Sequence, residues 1–306
     1  MLRDVVNLAL RPLSMAVRPA EGLVLRGTID EVRSHARFAK FLPIRGIEIT
    51  SHQQPENPSC AFISQLGKIQ YVRLFAEPLN DIESVQSLSH LRHLVILHTA
   101  KDQEIAIDFG SLPALERVGL QWFEGAERIF HATQIRSLDL SDCPLSSSDT
   151  FQKLDRLISL RLSVSKLVDT RGFSRLLALR WLALLSQTEL KDFGGLSHHP
   201  SLGFLWIEAC PKLGNIEWLA DMPQLETLRI LDCGEITGIE VLRSLPRLRH
   251  VHIHGSTMVA GADFAFLRDM ANLDSVVVKG LPKEQAAYWA QRNKKYDLLR
   301  PDLSGH

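Results

Sequence analysis

His250-Val-His252-Ile-His254 is the sharpest candidate for metal chemistry in this sequence. Alternate residues of an extended strand face the same way about 6.8 Å apart, so all three imidazoles are expected to project from one side, and two could share a zinc ion. The neighbours expected on adjacent strands, Arg229 and Lys279, would place such a dication between two cations, which is electrostatically unfavourable, so no metal ligand is assigned. The same row also reads as a polar binding surface that gains charge on acidification, or simply as solvated histidines. Four cysteines, Cys60, Cys143, Cys210 and Cys233, contain no Cys-x-x-Cys pair, a usage that suits a reducing compartment. Ser137, Ser141, Ser159 and Ser163 gather with Asp139, but the nearest histidines on the same face lie several strands away, so a Ser/His/Asp triad cannot be built from them. No Gly-rich phosphate loop, His-Glu-x-x-His or Gly-x-Ser-x-Gly is present. The expectation is a protein without catalytic residues or cofactor.

Those positions follow from the element that carries them. A phrase of the form Leu-x-x-Leu-x-Leu recurs through the chain, most clearly as Leu91-Arg-His-Leu94-Val-Ile96, Ile135-Arg-Ser-Leu138-Asp-Leu140, Leu157-Ile-Ser-Leu160-Arg-Leu162 and Leu225-Glu-Thr-Leu228-Arg-Ile230. Its first apolar residue falls at 44, 69, 91, 115, 135, 157, 179, 202, 225, 248 and 273, a mean period of about 23 residues. A fixed period in this range marks a repeat array in which no unit buries its apolar face alone. Within a copy, positions +3 and +5 share one side of a short strand and +2, +4 and +6 the other. After Leu202 the apolar residues are Leu213, Ile216, Leu219 and Met222; after Leu225 they are Ile236, Ile239, Leu242 and Leu245. Steps of three suit tight 3₁₀ returns better than long α-helices.

This pattern resembles the leucine-rich repeat family, and most closely the 22–23-residue subclass of phosphatase regulators and bacterial internalins. The resemblance implies an α/β repeat solenoid, a horseshoe with a parallel concave sheet of about 11–12 strands and short convex returns. It also implies that Cys143, Cys210 and Cys233, all at position +8, fill the ladder whose side chains satisfy backbone groups in the turn. Copies starting at 44, 91 and 248 are longer than the rest and are expected to carry longer turns. Residues 44–281 form the array. Residues 1–43 are expected to cap it with a degraded first strand at Leu23 and a helix over 30–41 with Asp30 as N-cap. Residues 282–306 are expected to close the other end with a helix starting at Pro282.

Lys+Arg and Asp+Glu both total 35, which removes a global attraction to nucleic acid or anionic membrane. No stretch approaches the roughly 18 apolar residues that span a bilayer. The N-terminus lacks a convincing cleavage site, and Asn57-Pro58-Ser59 is spoiled as a glycosylation acceptor by its proline. A cytoplasmic protein binding neither nucleic acid nor membrane is expected.

Positions +2, +4 and +6 give the concave surface directly. Trp181, Ala183 and Leu185 lie beside Phe204, Trp206 and Glu208, followed by Thr227, Arg229 and Leu231, with Arg161 on one flank and His250, His252 and His254 on the other. Two tryptophans, a phenylalanine and an arginine form the composition of a protein–protein hot spot. The function expected is recognition of a protein partner, with inhibition or regulation of an enzyme as its narrower form. Competing expectations are that the rings merely cover one another, that the histidines hold a small ligand or metal, or that the chain is a structural subunit. A weaker second region comprises Tyr71, Arg73, Phe75, His93, Leu97, Arg117 and Gln121.

Overall fold

The computed structural model describes residues 22–50, 58–75, 79–97, 104–261 and 263–293. Residues 1–21 of the expected N-terminal cap and the tail 294–306 lie outside the described residues, as do 51–57 and 98–103 in two of the longer copies. Among the described residues twelve strands of the main sheet follow one another in chain order, with 3₁₀ returns between them. Two compact units divide the chain, Met1–Leu140 and Ser141–His306.

In the first unit the strands are β1 (Leu23–Gly27), β2 (Ile44–Thr50), β3 (Tyr71–Phe75), β4 (His93–Leu97) and β5 (Arg117–Gln121), all paired in parallel. The helix α1 (Ile29–Ala36) follows β1. Its N-cap is Thr28, not Asp30. Thr28 Oγ1 accepts from the Glu31 amide at 3.3 Å while the Glu31 carboxylate accepts from the Thr28 amide at 2.8 Å, a reciprocal box that Asp30, already in the first turn, cannot form.

β6 (Ser137–Ser141) carries the boundary between the units. The second unit continues with β7 (Ser159–Ser163), β8 (Trp181–Leu185), β9 (Phe204–Glu208) and β10 (Thr227–Leu231). Then come a short β11 (Glu235–Ile236), β12 (His250–His254), a short β13 (Met258–Val259) and β14 (Ser275–Val278). The helix α2 (Lys283–Asn293) begins just after Pro282, as the proline predicts. The inward residues Leu160, Leu162, Leu182, Leu184, Leu205, Ile207, Leu228, Ile230, Val251 and Ile253 are fully buried, which confirms the alternation read from the repeat. In the copy at 248, β13 sits at positions +10 and +11, the same place as β11 in the copy before it, and pairs with β11 outside the main sheet.

Turns after the strands repeat one device. Asp142, Val164, Ser186, Ala209 and Asp232, each at position +7, all have φ between 52° and 57°. Their amides donate to carbonyls at the end of the next strand: Ser163, Leu185, Glu208, Leu231 and His254. A left-handed residue is costly for any side chain and most for β-branched Val164, so packing over-determines the turn. Position +8 then enters the core as a ladder of side chains bonded to backbone. Cys210 Sγ donates to Leu184 O at 3.6 Å and Glu208 O at 3.4 Å; Cys233 Sγ donates to Leu231 O at 3.1 Å. Gln187 takes the same place one strand earlier, donating to the Leu162 and Leu185 carbonyls, and Ser165 donates to Gln187 Oε1. On the outer side the returns approach closely: a Cβ on Gly172 would lie 2.0 Å from Ser148 O, so only glycine fits there.

Candidate functional site

The outward residues of β7 to β10, β12 and β14 belong to one unit and form a continuous strand face. Backbone register places Trp181 beside Phe204, Ala183 beside Trp206 and Leu185 beside Glu208. One strand further, Thr227, Arg229 and Leu231 lie beside Phe204, Trp206 and Glu208. The sequence-derived grouping is therefore the observed one. What the periodicity could not supply is how these side chains rest on each other.

Trp181 and Phe204 stack with ring centroids 5.3 Å apart and planes 11° apart. The Arg229 guanidinium lies 4.6 Å over the Trp206 ring. Trp206 donates its indole N–H to Glu208 Oε2 at 2.9 Å, which fixes the ring along its own strand. Each of these residues, with Leu185, Leu231 and Arg161, is half-buried. The rings thus cover one another in part, as the competing expectation held, and still reach solvent. The largest exposed apolar side chains lie elsewhere, Phe41 at 83% and Leu177 at 62%.

Two donors in the patch lack an acceptor. Trp181 Nε1 and Arg229 Nε are buried and form no hydrogen bond. A buried unpaired donor costs roughly 1–3 kcal/mol, so this surface carries unfulfilled polar capacity. Burial also pulls the Arg229 pKa down, opposed by the attraction of Glu208.

The histidine row differs from its expected form. His250 and His254 are half-buried, whereas His252 is only 3% exposed and its Nε2 lies 3.2 Å from Ser275 Oγ. His252 was expected to project with the other two. Instead it is walled by Arg229 on β10 and Val277 on β14. Burial, then Arg229 and the two neighbouring histidines, hold its pKa down to about 4. Among the described residues no group of three or more His, Cys, Asp or Glu is arranged to hold a metal ion. Lys279, expected beside the row, is exposed and its Nζ donates to Gly255 O at 3.1 Å.

The cysteines are accounted for without redox or metal chemistry. All four are free and buried. Cys60 precedes a 3₁₀ turn at Ala61–Gln65, and burial first, then Asp81, pushes its thiol up to about 12, which leaves no thiolate for nucleophilic chemistry near neutral pH. Burial holds Cys143 up at about 11, and a hydrogen bond with Cys233 together with burial holds Cys210 protonated.

The second region singled out above sits in the first unit and contains a residue that the sequence reading passed over. Glu48 on β2 is 3% exposed and pairs with Arg26 on β1 and with Arg73 on β3 at 3.0 Å, while Tyr71 Oη lies 3.5 Å away. A readable signal existed: Glu48, Arg73 and Arg26 share one row of the repeat register.

No family model matches the chain, and a search of curated proteins returns no match. Solved structures are similar in fold. The internalin InlF of Listeria monocytogenes shares 14% identity at a TM-score of 0.51, over 79% of this chain and 82% of that one. Internalin C2 of the same organism shares 21% at 0.50, over 64% and 82%. The functional domain of InlJ, also from Listeria monocytogenes and described as including a cysteine ladder, shares 17% at 0.55. That likeness covers 78% of this chain and about half, 54%, of the InlJ chain. With the repeat, the parallel strands and the 3₁₀ returns, these likenesses show a leucine-rich repeat fold.

Proposed function

We propose that this chain is a non-enzymatic recognition module that holds a protein partner on the strand face of its second unit. One observation carries the reading: Trp181, Phe204, Trp206 and Arg229 form a half-buried patch on three adjacent strands with two buried donors unsatisfied. Aromatic and arginine side chains in such a setting are the residues that dominate protein–protein binding energy. The partner-binding set comprises Trp181, Leu185, Phe204, Trp206, Glu208, Arg229 and Leu231, flanked by Arg161, His250, His252 and His254. Inhibition or regulation of an enzyme is the narrower form of this proposal and rests on fold analogy alone.

A cytoplasmic location belongs to the same proposal, supported by four free buried cysteines. Among the described residues no helix is long and apolar enough to cross a membrane. The ladder reading of Cys143, Cys210 and Cys233 accords with the cysteine ladder of the InlJ domain.

The test is partner capture by single variants. Trp206→Ala and Trp181→Ala should each weaken capture by ~2 kcal/mol or more while the circular dichroism spectrum stays that of wild type. Unchanged capture by both variants would overturn the assignment of the face.

A further inference from the structure

Among the described residues Arg229 forms no ion pair on this face, although Glu208 attracts it from the diagonal position. Its neighbours in register are Trp206 and His252, and its same-side neighbours along β10 are Thr227 and Leu231. None of these carries a negative charge. Among the outward positions of β7 to β10, β12 and β14, Glu208 is the one carboxylate. It stands opposite Leu231, one strand away, and already accepts the Trp206 indole N–H. Arg229 meanwhile lies 4.6 Å over the Trp206 ring, with its Nε buried and without an acceptor.

A guanidinium presents a planar fork that matches a carboxylate, and one held over an aromatic ring beforehand loses less freedom on binding. Phe204 and Arg229 are diagonal neighbours on adjacent parallel strands, roughly 7–8 Å apart. Same-side residues of an extended chain are spaced about 6.8 Å apart. One extended segment can therefore lay an apolar side chain on the Trp181–Phe204 pair and an acidic one on Arg229.

Accordingly, and resting on the recognition reading above, we propose that the partner presents an extended acidic segment. Its signature is an Asp or Glu two residues from an aromatic or large aliphatic side chain, with the carboxylate on Arg229 and the apolar group on Trp181 and Phe204. Nucleic acid fits less well. Tracking a phosphate backbone requires a row of cations, whereas Arg229 here stands between a tryptophan and a histidine buried in its neutral form.

The experiment is selection from a displayed library of random linear peptides on the immobilised full chain. Affinities of the selected synthetic peptides are then measured for wild type, Arg229→Gln, Arg229→Lys and Trp181→Ala. The expected result is enrichment of the acidic–apolar spacing, with affinity falling about tenfold or more for Arg229→Gln. Arg229→Lys should restore part of that loss, since it keeps the charge without the fork. Replacing the peptide acid by its amide should cost as much as Arg229→Gln, and the two changes together no more than either, the mark of a direct pair. Selected peptides that are lost on Trp181→Ala yet show no acidic enrichment and ignore Arg229→Gln would overturn the acidic partner while leaving the recognition face standing. Peptides indifferent to every variant, or none selected, would count against both. Displacement of the peptides by a single-stranded oligonucleotide at equal concentration would overturn the choice of protein over nucleic acid.

Discussion

Two strand faces of this chain are built from similar residues and end in opposite electrostatic states. On the first unit, Tyr71, Arg73 and Phe75 of β3 lie beside Glu48, which is buried and paired with both Arg26 and Arg73. On the second, Trp206 and Arg229 lie side by side with no carboxylate in register with the arginine. Aromatic-plus-arginine composition therefore does not by itself make a recognition surface. What separates the faces is whether the arginine is paired within the fold: Glu48 pairs directly with Arg26 and Arg73 on the first, whereas on the second Glu208 attracts Arg229 without pairing with it.

Removing that internal charge should have the largest effect. Glu48→Ala leaves two arginines facing each other around a buried void, at a cost of about 3 kcal/mol in stability by chemical denaturation. Partner capture, corrected for the folded fraction, should be unchanged. A stability loss below a few tenths of a kcal/mol would show that the pairing does not hold the first face.

Acid probes both faces at once. His93 on β4 and His252 on β12 are each held to about 4 against an ordinary 6.5, chiefly by burial and then by Arg117 and Arg229 respectively. Because the folded pKa lies below the unfolded one, the unfolded chain binds the extra proton. The stability contribution is complete above pH 6.5 and drains away as pH falls from there toward 4. About 2 kcal/mol per histidine is expected, after discounting His93 for its partial exposure. Denaturation at neutral pH and at pH 4.5 measures it, and His252→Gln should flatten part of the slope. A pH-independent midpoint would show that neither imidazole is held neutral.

Binding is next in size, at ~2 kcal/mol for Trp206→Ala on the second face, against no change for a Phe75→Ala control on the first. Equal losses from both would erase the distinction between the faces. The smallest effect belongs to neither surface. Cys233→Ser keeps a donor for the Leu231 carbonyl on the inner ladder and should cost about 1 kcal/mol of stability with capture intact. A change in capture there would mean that the turns, not the faces, govern recognition.

How much of this could be read beforehand follows from what a period encodes. From the anchor at 69 onward, each strand of the main sheet starts two residues after its anchor, because inward leucines and outward residues alternate with fixed phase. The same phase identified Trp181, Phe204, Trp206 and Arg229 as neighbours. It could not say that Trp181 lies on Phe204, that Arg229 lies on Trp206 or that His252 is covered, since outward residues about 4.8 Å apart hide one another according to size. The ladder is legible at its cysteines but not at Gln187 or Ser165, which fill position +8 with other polar side chains. Asp30 was mistaken for the helix cap because the capping box belongs to Thr28 and Glu31 together, a pair rather than a residue type.

The most direct test of the central claim compares the two faces in one experiment: affinity capture from native lysate with wild type, a Trp181→Ala/Trp206→Ala chain and a Phe75→Ala/His93→Ala chain. The account predicts proteins lost only with the tryptophan pair and retained by the other two. Loss with the Phe75/His93 pair instead, or equal retention by all three, would contradict it.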